Sequence, residues 1–562
     1  MINCLRQTVT AVLFFIILNF TELYSQVVYV PINDNIYEFL DRMNIRNIID
    51  LDTEKKPFSR IYISEKLIDI RKKLNKLNKV ESEVLKWHEA EYSYELNLLL
   101  KKEPNNLTSD LNQRNEYSFI KERWRLVNYE DSTFSFKLSP IIGTKITGRG
   151  KEFNYSGWIG ARAWMTGSDW FGGMLDMRNV GEFGDFVDEE KFLTPNRGHD
   201  IGTIHSNGIE YSDVRAQLNF NWTWGVISLK KDYVEWGNSY FGNLILSDKA
   251  PSYPHLSFEL KPAKWFRFYY KLGWLHSGII DSNRTIIVNP GDDPEVPHER
   301  FVKKYFAANM LTISPASWID LSFGNSFIYA GDFRPEMLIP FNFYKYMDRN
   351  TGKKDIEDGN GTFYLDLAIR FPSTYKFYST VFFDVDSKEG SLGTFLNKSW
   401  YGFTLGGRKV DLFFYNIDLT VEYTKITPWV YEHKYRSLTN YKHLDYSLGH
   451  WIGQNSEQLK LQINYQPTRG LRVKFWGEYI RKGGQKDIKY AYLGEELEPF
   501  LYPPLRKDKY VGLSLSYEII HEFFIETSFT FSSISDEDAD RTPEFLLGRN
   551  NNLSIAIFYG VP

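Results

Sequence analysis

The sequence predicts an all-β transmembrane barrel of about 18 antiparallel strands, preceded by a small α-helical segment. Three observations lead there. Aromatic residues make up 17 % of the 562-residue chain, with 37 Tyr, 42 Phe and 15 Trp, while 25 % of residues are charged. From about Ser132 onward apolar and polar residues alternate with period two. Short turns and long polar connections also alternate along that region, as they do in barrels with one periplasmic and one extracellular rim. The charge content and a mean hydropathy of −0.39 exclude a helical membrane protein. The formal net charge of −4 gives no electrostatic reason to expect a nucleic-acid partner.

The first residues read as an export signal. Arg6 supplies the positive end, Val9 to Leu18 the apolar run, and cleavage after Ser25 follows. That run is too short to span a bilayer. Export of this kind places the mature chain in the bacterial outer membrane. The one cysteine, Cys4, precedes the run, so the mature chain has no thiol for a disulfide, a zinc site or a nucleophile. The expected division is 1–25 signal, 26–110 periplasmic helical segment and 111–562 barrel.

Within the helical segment, Ile36, Phe39, Leu40 and Met43 fall on one face at helical spacing. A second helix is expected from Ser64, its cap, with Leu67, Ile70, Leu74 and Leu77 sharing a face. A third runs from about Val80 to Leu100, with Pro57 and Asn78 at the joints. The basic run Arg71-Lys72-Lys73 is read as a solvated helix face.

The strands follow. Val214, Ala216, Leu218, Phe220 and Trp222 alternate with Arg215, Gln217, Asn219 and Asn221; Phe363 to Phe371, Leu459 to Tyr465 and Leu513 to Ile519 repeat the pattern. Turns are expected at Lys261–Trp265, Ser314–Trp318, Phe371–Tyr375, Leu405–Lys409 and Gln466–Gly470. Long connections fall near 180–208, 232–255, 277–300, 328–361, 424–456, 482–508 and 533–549. Counting between these markers gives eighteen strands, from near Ser132 to Asn551–Tyr559. An even count returns both chain ends to the periplasm, with the Pro/Gly turns inside and the long loops outside.

Catalytic signatures do not stand out. The loop Gly181–Asn207 carries Glu182, Asp185, Asp188, Glu189, Glu190 and Asp200; a carboxylate pair or a calcium site is conceivable, but without EF-hand spacing the expectation is a solvated acidic surface loop. His433, His443 and His450 share one loop and His199 and His205 another, without the spacing of a zinc site. No nucleophile elbow, phosphate loop or dinucleotide fingerprint is present. Neither an enzyme nor a cofactor is expected.

Three loop stretches combine aromatics with charges: Trp236–Gly242 with Tyr253, Tyr329–Glu336, and Trp429 to Trp451. A flat ring beside hydrogen-bonding groups fits a sugar; the same rings could equally pack loops over the barrel mouth.

These stretches also carry a resemblance. Val234–Ser247 followed by Ala250-Pro251-Ser252-Tyr253-Pro254 resembles the "WG…G.LLLS..A..FP" segment of Wzi-type capsule assembly proteins. Ser326–Tyr329 through Arg334-Pro335-Glu336 to Pro340–Tyr344 resembles the next block of a Bacteroidetes-like branch of that family, and Tyr446–Glu457 a third. The opening Val30-Pro31 through Leu40, with Pro57–Arg60, is similar to the helical segment placed before the barrel. The resemblance implies an eighteen-stranded outer-membrane barrel that holds or organises capsular or other surface polysaccharide without turnover. It departs where the family has Trp-Gly-Pro-Gly and this chain has Trp236-Gly237-Asn238-Ser239, which puts that turn's geometry in question. Trp236, Tyr240, Arg334, Glu336, Trp429 and Tyr441 are the expected polysaccharide contacts, with no metal site. Other expected partners are outer-membrane lipid and lipopolysaccharide, around a monomer. A porin or oligosaccharide uptake channel, or a scaffold for a secretion machine, is the alternative.

Overall fold

The computed structural model describes residues 28–102, 123–131, 133–167, 170–288, 296–344, 359–371, 374–384, 400–433, 438–489 and 498–560. The expected signal, 1–25, lies outside the described residues.

Four helices open the described chain: α1 (Ile36–Ile45), α2 (Arg60–Arg71), α3 (Lys79–Glu91) and α4 (Ser93–Lys102). In α1 the expected face, Ile36, Phe39, Leu40 and Met43, is buried. Helix α2 starts earlier than the sequence reading has it. Ser59 is its cap, accepting from the Tyr62 N–H at 3.3 Å, while Ser64 lies inside the helix and donates to the Arg60 carbonyl. The expected third helix is two, parted at Tyr92. Asn78 and Glu81 form a reciprocal capping box at the start of α3, satisfying two donors that helix geometry leaves open.

Eighteen strands among the described residues close the barrel. They are β1 (Phe134–Arg149), β2 (Glu152–Gly167), β3 (Phe171–Gly184), β4 (Gly208–Trp222), β5 (Gly225–Asp232), β6 (Tyr253–Ala263), β7 (Phe266–Ile280), β8 (Phe301–Ala316) and β9 (Ile319–Ala330). The second half is β10 (Asn360–Phe371), β11 (Tyr375–Asp384), β12 (Trp400–Lys409), β13 (Ile417–Ile426), β14 (Ser456–Tyr465), β15 (Leu471–Lys482), β16 (Arg506–Ile520), β17 (Phe523–Asp536) and β18 (Gly548–Tyr559). All neighbours are antiparallel. β18 pairs back onto β1 from Leu553↔Gly148 to Tyr559↔Ile142. Below that point a short strand, Val127–Glu130, pairs with the foot of β1.

Two local expectations change. Leu405–Lys409 is the end of β12 and not a turn; the turn is Val410–Asn416. Gly406 is there because the Tyr378 ring from β11 lies across it, and a Cβ would sit 2.1 Å from that ring. On the extracellular rim the first connection, between β1 and β2, is only the tight turn Gly150-Lys151. Pro262 and Pro315 stand at β-bulges beside their turns, where the missing N–H breaks no ladder bond.

The burial pattern is inverted relative to a soluble barrel. Outward residues such as Ile159, Leu229, Leu405, Leu459 and Ile555 are exposed, whereas inward Asn219, Asp176, Thr312, Thr404 and Ser322 are buried. Such a surface is stable only against lipid. Trp170, Trp224, Trp265, Trp318 and Tyr375 mark its periplasmic edge as an aromatic girdle.

The helical segment occupies the periplasmic half of the lumen and touches the wall from Lys137 on β1 round to Lys474 on β15 and His521 in the turn before β17. Its acids and bases pair with wall residues. Arg267 on β7 donates to Glu54 at 2.5 Å, Arg408 on β12 to Asp41 at 3.0 Å, and Arg42 binds Asp418 on β13 and Asp411 in the next turn. Glu91 stays charged well below the usual carboxylate range. Burial opposes that charge, but Arg125, Arg60 and Arg123 surround it and prevail.

One extracellular connection runs down the outside of the wall. Met337 and Tyr344 pack against outward-facing Tyr270, Leu272, Tyr305, Phe327 and Tyr329, and Phe341 stacks on Phe268 at 4.0 Å. Outward Asn309 donates to the Pro340 and Asn342 carbonyls at 2.9 and 2.8 Å, and Asn325 exchanges bonds with Asn342 and Tyr344. These bonds satisfy irregular backbone that lipid could not solvate. Leu338, Ile339, Phe341 and Phe343 face outward.

Candidate functional site

Along β6 to β13 the extracellular half of the lumen is filled by two connections that fold inward, 233–252 and the described parts of 427–455. The first descends until it meets the helical segment: Lys55↔Trp236 and Lys56↔Glu235 form an antiparallel ribbon, and Gly237 N–H donates to the Glu54 carbonyl at 2.8 Å. Gly237 takes φ +119°, where a Cβ would strike the Asn243 carboxamide at 2.6 Å. The side chains of Asn238 and Asn243 then build the turn. Asn238 donates to Asp366 on β10 at 2.5 Å and accepts from Thr53 at 2.6 Å, while the Ser239 N–H donates to Asn243 at 3.2 Å. The departure from Trp-Gly-Pro-Gly thus ties this loop to both plug and wall.

The second connection locks over the first through tyrosine hydroxyls and backbone. Tyr431 and Tyr441 donate to the Leu244 and Ile245 carbonyls, each at 2.8 Å, and Ser247 N–H donates to the Leu448 carbonyl. Trp429 and Tyr431 hold φ of +72° and +75°, conformations costly for side-chain-bearing residues and held here by the Trp429 N–H to Gln454 bond at 2.7 Å and the Tyr431 N–H to Asp384 bond at 2.8 Å. His450 lies against Gly242; burial first, then Lys482 and Lys460, bring its pKa down to about 3, so it is neutral. A third connection is fastened by Lys249, whose ammonium donates to the carbonyls of Lys191, Thr194 and Asn196 at 2.5 to 2.8 Å.

The six expected contact residues do not form one site. Trp236, Trp429 and Tyr441 meet in the apolar core between the two loops, all at 2 % exposure or less. Tyr240 lies at a polar lumenal cavity of about 330 Å³, donating to Asp41 at 2.6 Å and, through its N–H, to Glu422 at 2.8 Å. Arg334 and Glu336 sit at the head of the outer-wall segment, Arg334 over the Tyr329 ring. The acids of 181–207 serve their own loop: Glu182 accepts from Lys191 and Tyr211, and Asp188 from the Lys191 N–H and Thr194. Among the described residues no three His, Cys, Asp or Glu side chains converge as a metal set. A cavity of about 850 Å³ around Ile142, Ile159 and Ile557 is a groove on the lipid-facing wall and not part of the lumen.

No protein-family model matches the chain, and no curated protein matches it in sequence. The fold does match solved structures. It aligns with Wzi of Escherichia coli, described as an outer-membrane protein involved in group 1 capsule assembly and a carbohydrate-binding β-barrel. The TM-score is 0.53 at 14 % identity, covering 96 % of this chain and 100 % of that one. It also aligns with OprD of Pseudomonas aeruginosa (TM-score 0.40, 9 % identity, 75 % of this chain and 94 % of that one) and OccAB1 of Acinetobacter baumannii (0.41, 9 %, 78 % and 98 %). The fold is that of an outer-membrane barrel.

Proposed function

We propose that the chain binds and organises capsular or other surface polysaccharide at the outer face of the outer membrane, without turnover. The observation that supports this reading is the closure of the mouth along β6 to β13. Two interlocked loops meet a plug from the other side, which disfavours a wide pore and favours a fixed surface whose weak contacts repeat along a polymer. Likeness over the whole fold to a carbohydrate-binding barrel is consistent with it. Export by a cleaved signal and a monomeric state belong to the same proposal.

Deletion of the gene tests it, with polysaccharide measured on cells and in the medium. Polymer should shift from cells to medium; unchanged cell-bound polymer overturns the reading. A channel is favoured by one observation, the water-accessible arc of lumen along β14 to β18, β1 and β2. Planar-bilayer recording decides: a large steady conductance supports the channel.

A further inference from the structure

The lumen is two unlike halves. Along β4 to β13 the inward side chains are sealed: Thr312, Thr380 and Thr404 have no exposed surface. Across the barrel, register directs Ser514, Ser516, Ser528, Thr530, Thr147 and Ser156 to the same interior, yet all six are only half-buried. Lys145, inward on β1 opposite Ala556, is exposed outright. This arc is wet, its hydroxyls interspersed with charged and amide side chains such as Lys460, Glu478, Glu526 and Asn552.

Two indoles stand within it. Trp476 on β15 lies across Gly512, where a Cβ would be 2.0 Å from the ring, and Trp158 on β2 lies across Gly143, where it would be 2.3 Å. Each glycine lets its tryptophan lie flat on the wall. Covering a strand glycine with a ring is a general stabilising device. Tyr364 over Gly324 and Tyr378 over Gly406 do this too, but their rings are 1 % and 3 % exposed. Trp476 and Trp158 are half-buried, Trp158 also packing on Phe558 at 5.9 Å, so part of each inward-facing ring stays exposed. Five strand spacings across the wall and six residues along it separate them, roughly 30 Å, with hydroxyls between.

We propose that this arc is a saccharide-binding lane. Trp476 and Trp158 are stacking platforms for the apolar faces of sugar rings, and the Ser and Thr side chains exchange hydrogen bonds with sugar hydroxyls. A several-ring segment of an unbranched glycan fits that platform spacing. The inference rests on the polysaccharide reading only for the source of the glycan.

The test uses the full exported chain, whose one cysteine, Cys4, lies in the expected signal, so an introduced cysteine is unique after cleavage. Ser514→Cys should react with a water-soluble maleimide, and sealed, lumen-facing Thr404→Cys should not. Equal reaction of both, or of neither, overturns the lane. The probe is the size-fractionated partial hydrolysate of the producing cell's own surface polysaccharide. It should slow labelling of Ser514→Cys; no slowing overturns the saccharide assignment. Trp476→Ala with Trp158→Ala should raise the fragment concentration needed about tenfold, equivalent to ~1.4 kcal/mol. Trp476→Phe with Trp158→Phe, which keeps a ring over each glycine, should retain most of the protection. Protection that survives the alanines overturns the platforms. If intact polymer binds the protein while Ser514→Cys is never protected, the lane falls and surface binding stands.

Discussion

The backbone of Trp236, from an extracellular connection, pairs with that of Lys55, from the N-terminal segment, inside the barrel. Plug and mouth are therefore one packed body, with the fully buried Trp236 side chain in the core formed with Trp429 and Tyr441.

Trp236→Ala should loosen both sides of that body at once. Removing a fully buried indole costs about 3–5 kcal/mol where the surroundings cannot collapse. Hydrogen exchange in the detergent-solubilised protein should accelerate both in 28–102 and in 438–455. Acceleration confined to one of the two segments would contradict a shared core.

What the sequence made legible was whatever depends on local period. Alternation at period two defines the strands, because inward residues are mostly polar and outward ones mostly apolar, and their number follows from the connections. Helical spacing located α1 for the same reason. The direction in which a connection folds has no such signature. Trp236, Trp429 and Tyr441 read alike as sugar platforms or as packing, and burial places them in the core. Leu405–Lys409 reads as a turn because paired glycines favour turns, whereas Gly406 answers to the Tyr378 ring on the next strand. A usable signal was overlooked: Asn309 and Asn325 stand at outward parity among apolar neighbours, and the segment they hold lies on the outer wall.

Asn309→Ala together with Asn325→Ala should release that segment. The Pro340 and Asn342 carbonyls lose their donors beside lipid, at about 1–3 kcal/mol for each group left unpaired. Protease added to intact cells should then cut within 331–344, where the parent resists. An unchanged cleavage pattern would mean that apolar packing alone holds the segment.

Asp176 carries a different kind of load. Arg162, Arg215 and Arg178 donate to it at 2.6, 2.8 and 2.9 Å, and it has no exposed surface. Asp176→Asn keeps the shape but leaves three guanidinium groups around a neutral amide. A loss of about 3–5 kcal/mol is expected, as for other buried pairs deprived of one partner. The midpoint of urea unfolding in lipid vesicles should fall, and a midpoint within error of the parent would show that water already screens the cluster.

The plug should be less stable at neutral pH than near pH 4 on account of Asp34. Burial, then the charges of Glu522 and Glu518, push its carboxyl up to about 6 from an ordinary 3.8, against the Ile36 N–H bond and Arg123. The folded plug therefore holds a proton that the unfolded segment has released, and stability falls as pH rises from about 4 to about 6. Glu91 acts in the opposite sense at the acid end: its pKa is depressed, so the stability it contributes starts to be lost as pH falls through about 4.5, and the difference between the parent and Asp34→Asn isolates Asp34. Asp34→Asn keeps the acceptor for Ile36 and removes the titration. Because Asp34 retains some solvent contact, the gain at pH 7 should be about 1 kcal/mol. Proteolysis of 28–102 between pH 4 and 7 reads it: the parent should become more susceptible as pH rises, and the variant should change less. Equal slopes would assign the dependence to other groups.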